Sequence, residues 1–172
     1  NAARLYQGQA DIPLNQTGIQ QARALAEKLS GEKFDAVYAS DLSRAAQTAS
    51  ILVEKLGMPI QTDVRLREIC QGIWEGMSLD EVQEKYADDF KHGAEDPAFS
   101  RAPGGESIAE VAERMTSAVT EISARYPAGH ILLVSHGLAV STLYCLANEI
   151  PLSQVYQFVP ENAVPLSITW QV

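Results

Sequence analysis

Apolar residues recur along the chain with two periods, and the change from one to the other marks out the elements. Over 17–29, Ala22, Leu25, Ala26 and Leu29 repeat at helical spacing, with Gly31 behind them as a stop. Ala36-Val37-Tyr38-Ala39 reads as a short strand. Ser40-Asp41 then predicts a helix start, and the helix runs through Ile51 and Leu56 to Gly57. A second short strand is expected over 60–64. Ser78-Leu79-Asp80-Glu81 has the form of a capping box, with Leu79, Val82, Tyr86 and Phe90 continuing a helical stripe behind it. Residues 92–105, with two prolines and three glycines, predict a loop. A second capping box, Ser107-Ile108-Ala109-Glu110, opens a long helix striped by Ile108, Val111, Ala112, Met115, Val119 and Ile122. The uninterrupted apolar run Ile131-Leu132-Leu133-Val134 predicts a strand buried on both faces. His136-Gly137 follows it, then another helix to about Ala147.

Strands alternating with helices of these lengths imply an α/β fold, a mostly parallel sheet with helices on both faces. No internal repeat, low-complexity tract or linker-like run divides the chain, which reads as one domain over 1–172. Both ends look cut. Leu166, Ile168, Trp170 and Val172 alternate with Ser167, Thr169 and Gln171 as in a strand that stops without a turn residue. At the other end, Asn1 leads straight into a loop-like stretch rich in Gly, Gln and Asp.

Composition narrows the function classes. The 172 residues are 46% hydrophobic and 20% charged, as in an ordinary globular domain. No apolar run approaches the ~20 residues of a membrane span, and no signal-peptide pattern opens the chain. With 22 acids against 13 bases and a net charge of −9, a nucleic-acid partner is not expected. An anionic substrate would have to be drawn by a local basic pocket against the overall field. Cys70 and Cys145 form no CxxC pair or disulfide framework, so a reduced, cytoplasmic location is the expectation.

Three segments could carry chemistry, and all lie at strand-to-helix crossings, where one cleft could collect them. Arg44, in Ser40-Asp41-Leu42-Ser43-Arg44, sits in a helix's first turn, where free N–H groups and a guanidinium together suit a phosphate. The plainer alternative is a solvated arginine paired with Asp41 or a neighbour. His136 stands just past the apolar strand, where α/β folds place ligands; otherwise it is a packed, hydrogen-bonded histidine. Glu68, near Ile69 and Trp74, could have a raised pKa and act as a general acid, or simply pair with Arg65 or Arg67. His92 and His130 read as solvated or structural. The sequence holds no GxxxxGK[ST], GxGxxG, HExxH or GxSxG, and no metal-ligand spacing. A phosphate site here is therefore expected to be built from arginine and histidine, with no metal and no cofactor.

These residues resemble the histidine phosphatase superfamily, in its phosphoglycerate mutase-like branch. Gln7 to Leu14 with Thr17-Gly18 and Gln21-Ala22 is similar to the segment that follows the family's nucleophile motif. Ser40 to Ala49 resembles its phosphate-arginine signature, and Leu66-Arg67-Glu68 through Gly76 its acid-glutamate segment. Pro103-Gly104-Gly105-Glu106-Ser107 and Ser135-His136-Gly137 complete a series of five motifs in order. The family's hallmark Arg-His-Gly does not occur in the chain. Asn1 matches the asparagine that closes that motif, so the nucleophilic histidine and the central strand are expected ahead of Asn1.

The resemblance implies a phosphoglycerate mutase-like fold and a two-step hydrolysis of a small phosphorylated substrate. The upstream histidine attacks phosphorus to give a phosphohistidine while Glu68 protonates the leaving oxygen, and water activated by Glu68 then releases phosphate. Arg44 and His136 stabilise charge on the equatorial oxygens, Asn1 helps hold the phosphoryl group, Gly8 lies beside the substrate, and Arg4 and Gly137 belong to the phosphate pocket. Mutases of this branch carry basic residues in an insertion after the acid glutamate and a polar residue after the His-Gly pair. Here residues 80–100 are acidic and Leu138 follows Gly137, which favours a phosphatase over a mutase. The other class of reading is a non-catalytic phosphate-binding domain. The identity of the phosphomonoester is open, as is self-association as a homodimer.

Overall fold

The computed structural model describes residues 5–170, apart from the side chains of residues 93 and 94. Among these residues three parallel strands form the sheet: β1 (Ala36–Ala39), β2 (Ile60–Thr62) and β3 (Ile131–Val134), in the order β2-β1-β3. Val37 stands opposite Ile60, and Ala36 opposite Ile131. The helices are α1 (Gln16–Leu29), α2 (Ser43–Leu56), α3 (Leu79–Lys85), α4 (Ala87–Glu95), α5 (Ile108–Arg125) and α6 (Gly137–Ala147), with 3-10 turns at Val64–Leu66, Gly72–Trp74 and Leu152–Phe158.

The period-two alternation of the strands divides the core between two faces. Ala36 and Tyr38 of β1, with Ile131 and Leu133 of β3, pack against α5 and α6 through Val111, Met115, Leu138 and Leu143. Ala39, Leu132 and Val134 turn the other way, onto Leu25 and Ala26 of α1 and Ala45, Ala49 and Leu52 of α2. Helices therefore cover both faces, as the alternation of elements implied. A smaller cluster of Trp74, Val82 and Ala102 gathers Tyr6, Met77, Tyr86 and Phe90 beside the main core.

Both capping boxes form as expected. The side chains of Ser78 and Ser107 accept from the amides of Glu81 and Glu110, which reach back to the cap amides. Elsewhere tertiary contacts move the predicted boundaries. The helix foreseen from Ser40-Asp41 begins only at Ser43. The Ser40 hydroxyl is engaged with His136 Nε2 and Asp41 bonds to Arg67, so neither side chain is free to cap. Asp11, distant in sequence, takes over, accepting from the Ser43 amide and hydroxyl at 2.6 and 2.8 Å. The stripe expected as one helix over 79–90 breaks at Tyr86 into α3 and α4, and α4 runs to Glu95, inside the expected loop. The strand expected over 60–64 stops at Thr62, because Asp63 caps the following turn.

β3 is half-buried except at Val134, not buried throughout. It is an edge of the described sheet, paired with β1 on one side alone. The terminal alternation forms no strand through Trp170; Ile168 and Trp170 still pack on the α5–α6 cluster, without a ladder partner among the described residues. No helix among the described residues is long and apolar enough to cross a membrane.

Candidate active site

The carboxyl ends of the three strands lie side by side. The Ser40 amide donates to the Val134 carbonyl, the Asp63 amide to the Ala39 carbonyl, and the Ser135 hydroxyl to the Leu66 carbonyl at 2.7 Å. The segments that follow them bring Arg44, Glu68 and His136 into one electrostatically coupled group.

Arg44 enters from the first turn of α2, half-buried. Its Nη1 and Nη2 donate to the carbonyls of Ala10 and Gly8, each at 2.8 Å. Those bonds fix the plane of the guanidinium and leave its other N–H groups without a protein acceptor among the described residues. Burial pulls the Arg44 pKa down, and Glu68, Asp11 and Glu75 hold it up. The solvated pairing with Asp41 is not formed, since Asp41 is bound to Arg67 Nε at 2.8 Å.

Gly8 is buried where the loop passes closest to its neighbours. Its φ is +51°, and a Cβ there would lie 2.1 Å from Glu75 Oε1, so both conformation and space require glycine. Glu75 Oε1 in turn accepts from the amides of Gln9 and Gln71 at 2.8 and 3.1 Å.

Glu68 follows the turn at Val64–Leu66. Its carboxylate receives the Ile69 amide at 3.0 Å and, from the first turn of α6, the amides of Leu138 and Ala139 at 3.2 and 3.1 Å. These donors and Arg44 favour the charged form, but burial outweighs them and raises the Glu68 pKa. The alternative pairing is excluded by where its partners go. Arg65 binds Asp63 and Glu121, and Arg67 binds Asp41.

His136 caps the approach to α6 and is buried at 8% exposure. Its Nε2 lies 2.9 Å from Ser40 Oγ. Burial, with Arg44 and Arg114 behind it, lowers its pKa to about 3 against a weaker opposing pull from Asp41, so the imidazole is neutral at pH 7. Gly137, the first residue of α6, lies against Val159, and a Cβ would come 2.9 Å from Val159 Cγ1. His130 is at the opposite end of β3, its Nδ1 donating to the Lys33 carbonyl at 3.0 Å and its ring resting on Phe34. Asn1 and Arg4 lie outside the described residues.

A profile for the histidine phosphatase superfamily (branch 1) matches residues 1–171. The chain belongs to that superfamily. It is 35% identical over 163 residues to phosphoserine phosphatase 1 of Hydrogenobacter thermophilus, covering 95% of this chain and 77% of that protein. To the probable phosphoglycerate mutase GpmB of Yersinia pestis it is 38% identical over 155 residues, covering 88% and 70%. The crystal structure of the alpha-ribazole phosphatase from Shigella flexneri superposes with a TM-score of 0.86 at 26% identity, over 95% of this chain and 81% of that one.

In this histidine phosphatase a clamp that sequence reasoning missed holds the Glu68 segment. Arg114, on α5, donates to the carbonyls of Arg65, Arg67 and Glu68 at 2.7, 2.6 and 3.0 Å, and to both oxygens of Glu106 at 2.8 and 2.9 Å. Glu106 Oε2 also receives the Cys70 amide at 2.8 Å and Gln9 Nε2 at 3.4 Å. Gln9 Nε2 donates as well to the Glu68 carbonyl at 3.1 Å. One signal for Arg114 was in the chain: a lone arginine at the margin of the apolar stripe, between Val111 and Met115. Nothing local shows that its partners are backbone carbonyls forty-odd residues away.

Proposed function

We propose that this protein hydrolyses small phosphomonoesters through a phosphohistidine, the nucleophile being the family's histidine expected ahead of Asn1 in the sequence. The observation that carries the reading is Glu68, a carboxyl raised by burial yet held by the α6 amides, within the field of the same Arg44 cation that acts on the neutral imidazole of His136. A protonated Glu68 can donate to the departing alkoxide in the first step; ionised afterwards, it can take the proton of the attacking water in the second. The acid and base roles alternate on one side chain, so the proton account closes over the cycle. Arg44 supplies charge-assisted donors to the phosphoryl oxygens, and His136 a neutral donor that adds no charge to the site. Gly8, Gly137, Asn1 and Arg4 complete the phosphate pocket in this reading.

Hydrolysis is favoured over phosphoryl exchange between hydroxyls by Leu138. Its amide is given to Glu68 and its side chain is buried in the core, so it offers a substrate no polar group. The phosphoserine, phosphoglycerate and α-ribazole phosphate named for the relatives all belong to the class of small phosphomonoesters, which is as far as the substrate assignment goes.

The test is hydrolysis of p-nitrophenyl phosphate by the full-length protein in EDTA. Turnover that survives EDTA and falls steeply in Glu68→Gln and in His136→Ala supports the phosphatase. A folded full-length protein with no turnover, still binding inorganic phosphate, supports the non-catalytic phosphate-binding alternative. Conversion of 3-phosphoglycerate to 2-phosphoglycerate faster than phosphate release would instead establish a mutase.

A further inference from the structure

Ser40 is fully buried, and its hydroxyl has two partners among the described residues. The Leu42 amide donates to Oγ at 3.3 Å, and His136 Nε2 lies 2.9 Å away. An amide N–H can only donate, so the Leu42 contact occupies an oxygen lone pair and leaves the hydroxyl proton to be placed. Asp41, the nearest carboxylate in sequence, is committed to Arg67 through Oδ1 and Oδ2. His136 Nε2 is then the one acceptor for that proton among the described residues.

Two arrangements are possible on paper. If Nε2 carried the imidazole proton and gave it to Ser40, Oγ would accept twice and its own proton would be buried without an acceptor. A buried hydroxyl proton left without an acceptor forfeits the hydrogen bond it would make to water in the unfolded chain, so this arrangement is disfavoured. If Ser40 donates to Nε2, every group in the chain Leu42 N–H to Oγ–H to Nε2 is satisfied, and the neutral imidazole must carry its proton on Nδ1.

We propose that Ser40 is a positioning residue that fixes His136 as the Nδ1–H tautomer, so that Nδ1–H is the donor this histidine turns to the phosphoryl group. No described residue bonds to Nδ1, which leaves that atom for a ligand. The assignment of the ligand rests on the phosphatase reading above; the tautomer does not. Burial and the charges around the ring also favour its neutral form. Protonating Nε2 would set it against the Ser40 hydroxyl proton, in a buried spot already facing Arg44 and Arg114, with Asp41 the one opposing carboxylate among the described residues. Fixing a tautomer by a hydrogen bond to the far ring nitrogen is how histidine ligands and catalytic histidines are commonly oriented.

Long-range 1H–15N correlation on the full-length protein with 15N-histidine reads the tautomer directly at pH 7. Nδ1 of His136 is expected to be protonated and Nε2 bare, and addition of vanadate should shift the Nδ1 resonance most. In Ser40→Ala the ring is expected to move towards the Nε2–H form usual for free histidine, with kcat/KM for p-nitrophenyl phosphate falling tenfold or more. A wild-type spectrum with Nε2 protonated overturns the proposal, whatever the enzyme's activity and even if Ser40→Ala fails to fold. An unchanged tautomer in folded Ser40→Ala also overturns it. A protein with the predicted tautomer and no turnover would refute the phosphatase reading and leave this one standing.

Discussion

Replacing His136 with asparagine isolates a titration that the fold has displaced by a large interval. The His136 pKa falls from 6.5 to about 3, first through burial and then through Arg44 and Arg114. In the unfolded chain the imidazole takes up a proton near pH 6.5, whereas the folded protein resists doing so until about pH 3. Between those values the unfolded state holds more protons, so stability rises with pH and is lost as the pH drops. The contribution is complete above about pH 6.5 and disappears progressively below it. At about 1.4 kcal/mol per pH unit, acidifying from 6.5 to 4 should remove about 3 kcal/mol through this one side chain. The ring is 8% exposed, so solvent screening does not reduce the figure much. Urea unfolding of wild type and His136→Asn at pH 7, 6, 5 and 4 measures it, because the carboxylates common to both cancel in the difference. The stability gap between the two should shrink by about 3 kcal/mol over that range. A gap constant to within 0.5 kcal/mol or so would show that His136 titrates normally in the fold and would refute the burial argument.

Arg114→Ala leaves three backbone carbonyls and the Glu106 carboxylate without their cation, which should lower stability by about 3–5 kcal/mol and the melting temperature by about 10 °C. Arg114→Lys should recover only part of this, since one ammonium cannot reach all of those acceptors; melting curves of the two variants decide, and a shift below 2 °C in Arg114→Ala sinks the clamp. The raised pKa of Glu68 predicts that kcat/KM falls as the pH climbs through it, because the acid that protonates the leaving oxygen is lost. Glu68→Gln should abolish that falling limb and cost about 10²–10⁴-fold with an alkyl phosphate, but less with p-nitrophenyl phosphate, whose leaving group needs little protonation. Equal losses with both substrates would argue against a general acid.

The elements that local pattern placed correctly are those whose side chains answer to neighbours one or two turns away. The boxes at Ser78 and Ser107 close within four residues, and the stripe of α5 needs no knowledge of what it will cover. Ser40-Asp41 failed as a cap for the opposite reason: both residues have the right chemistry, and the fold uses it elsewhere, on His136 and Arg67. The cap is supplied by Asp11, which no window of local sequence could connect to Ser43.

The candidate site divides in the same way. Arg44, Glu68 and His136 were legible because each stands at the end of a strand, where an α/β sheet presents its ligands. The sequence by itself thus determined the alternation of elements and both covered faces, and it singled out Arg44, Glu68 and His136 as candidates for one site. Only the tertiary structure decided the states of those residues. That Glu68 is raised, that His136 is neutral and that Arg44 is held by Gly8 and Ala10 all depend on burial and on partners 34 to 96 residues distant. Proton affinity is a property of the surrounding dielectric and charges, and those exist only after the chain has closed.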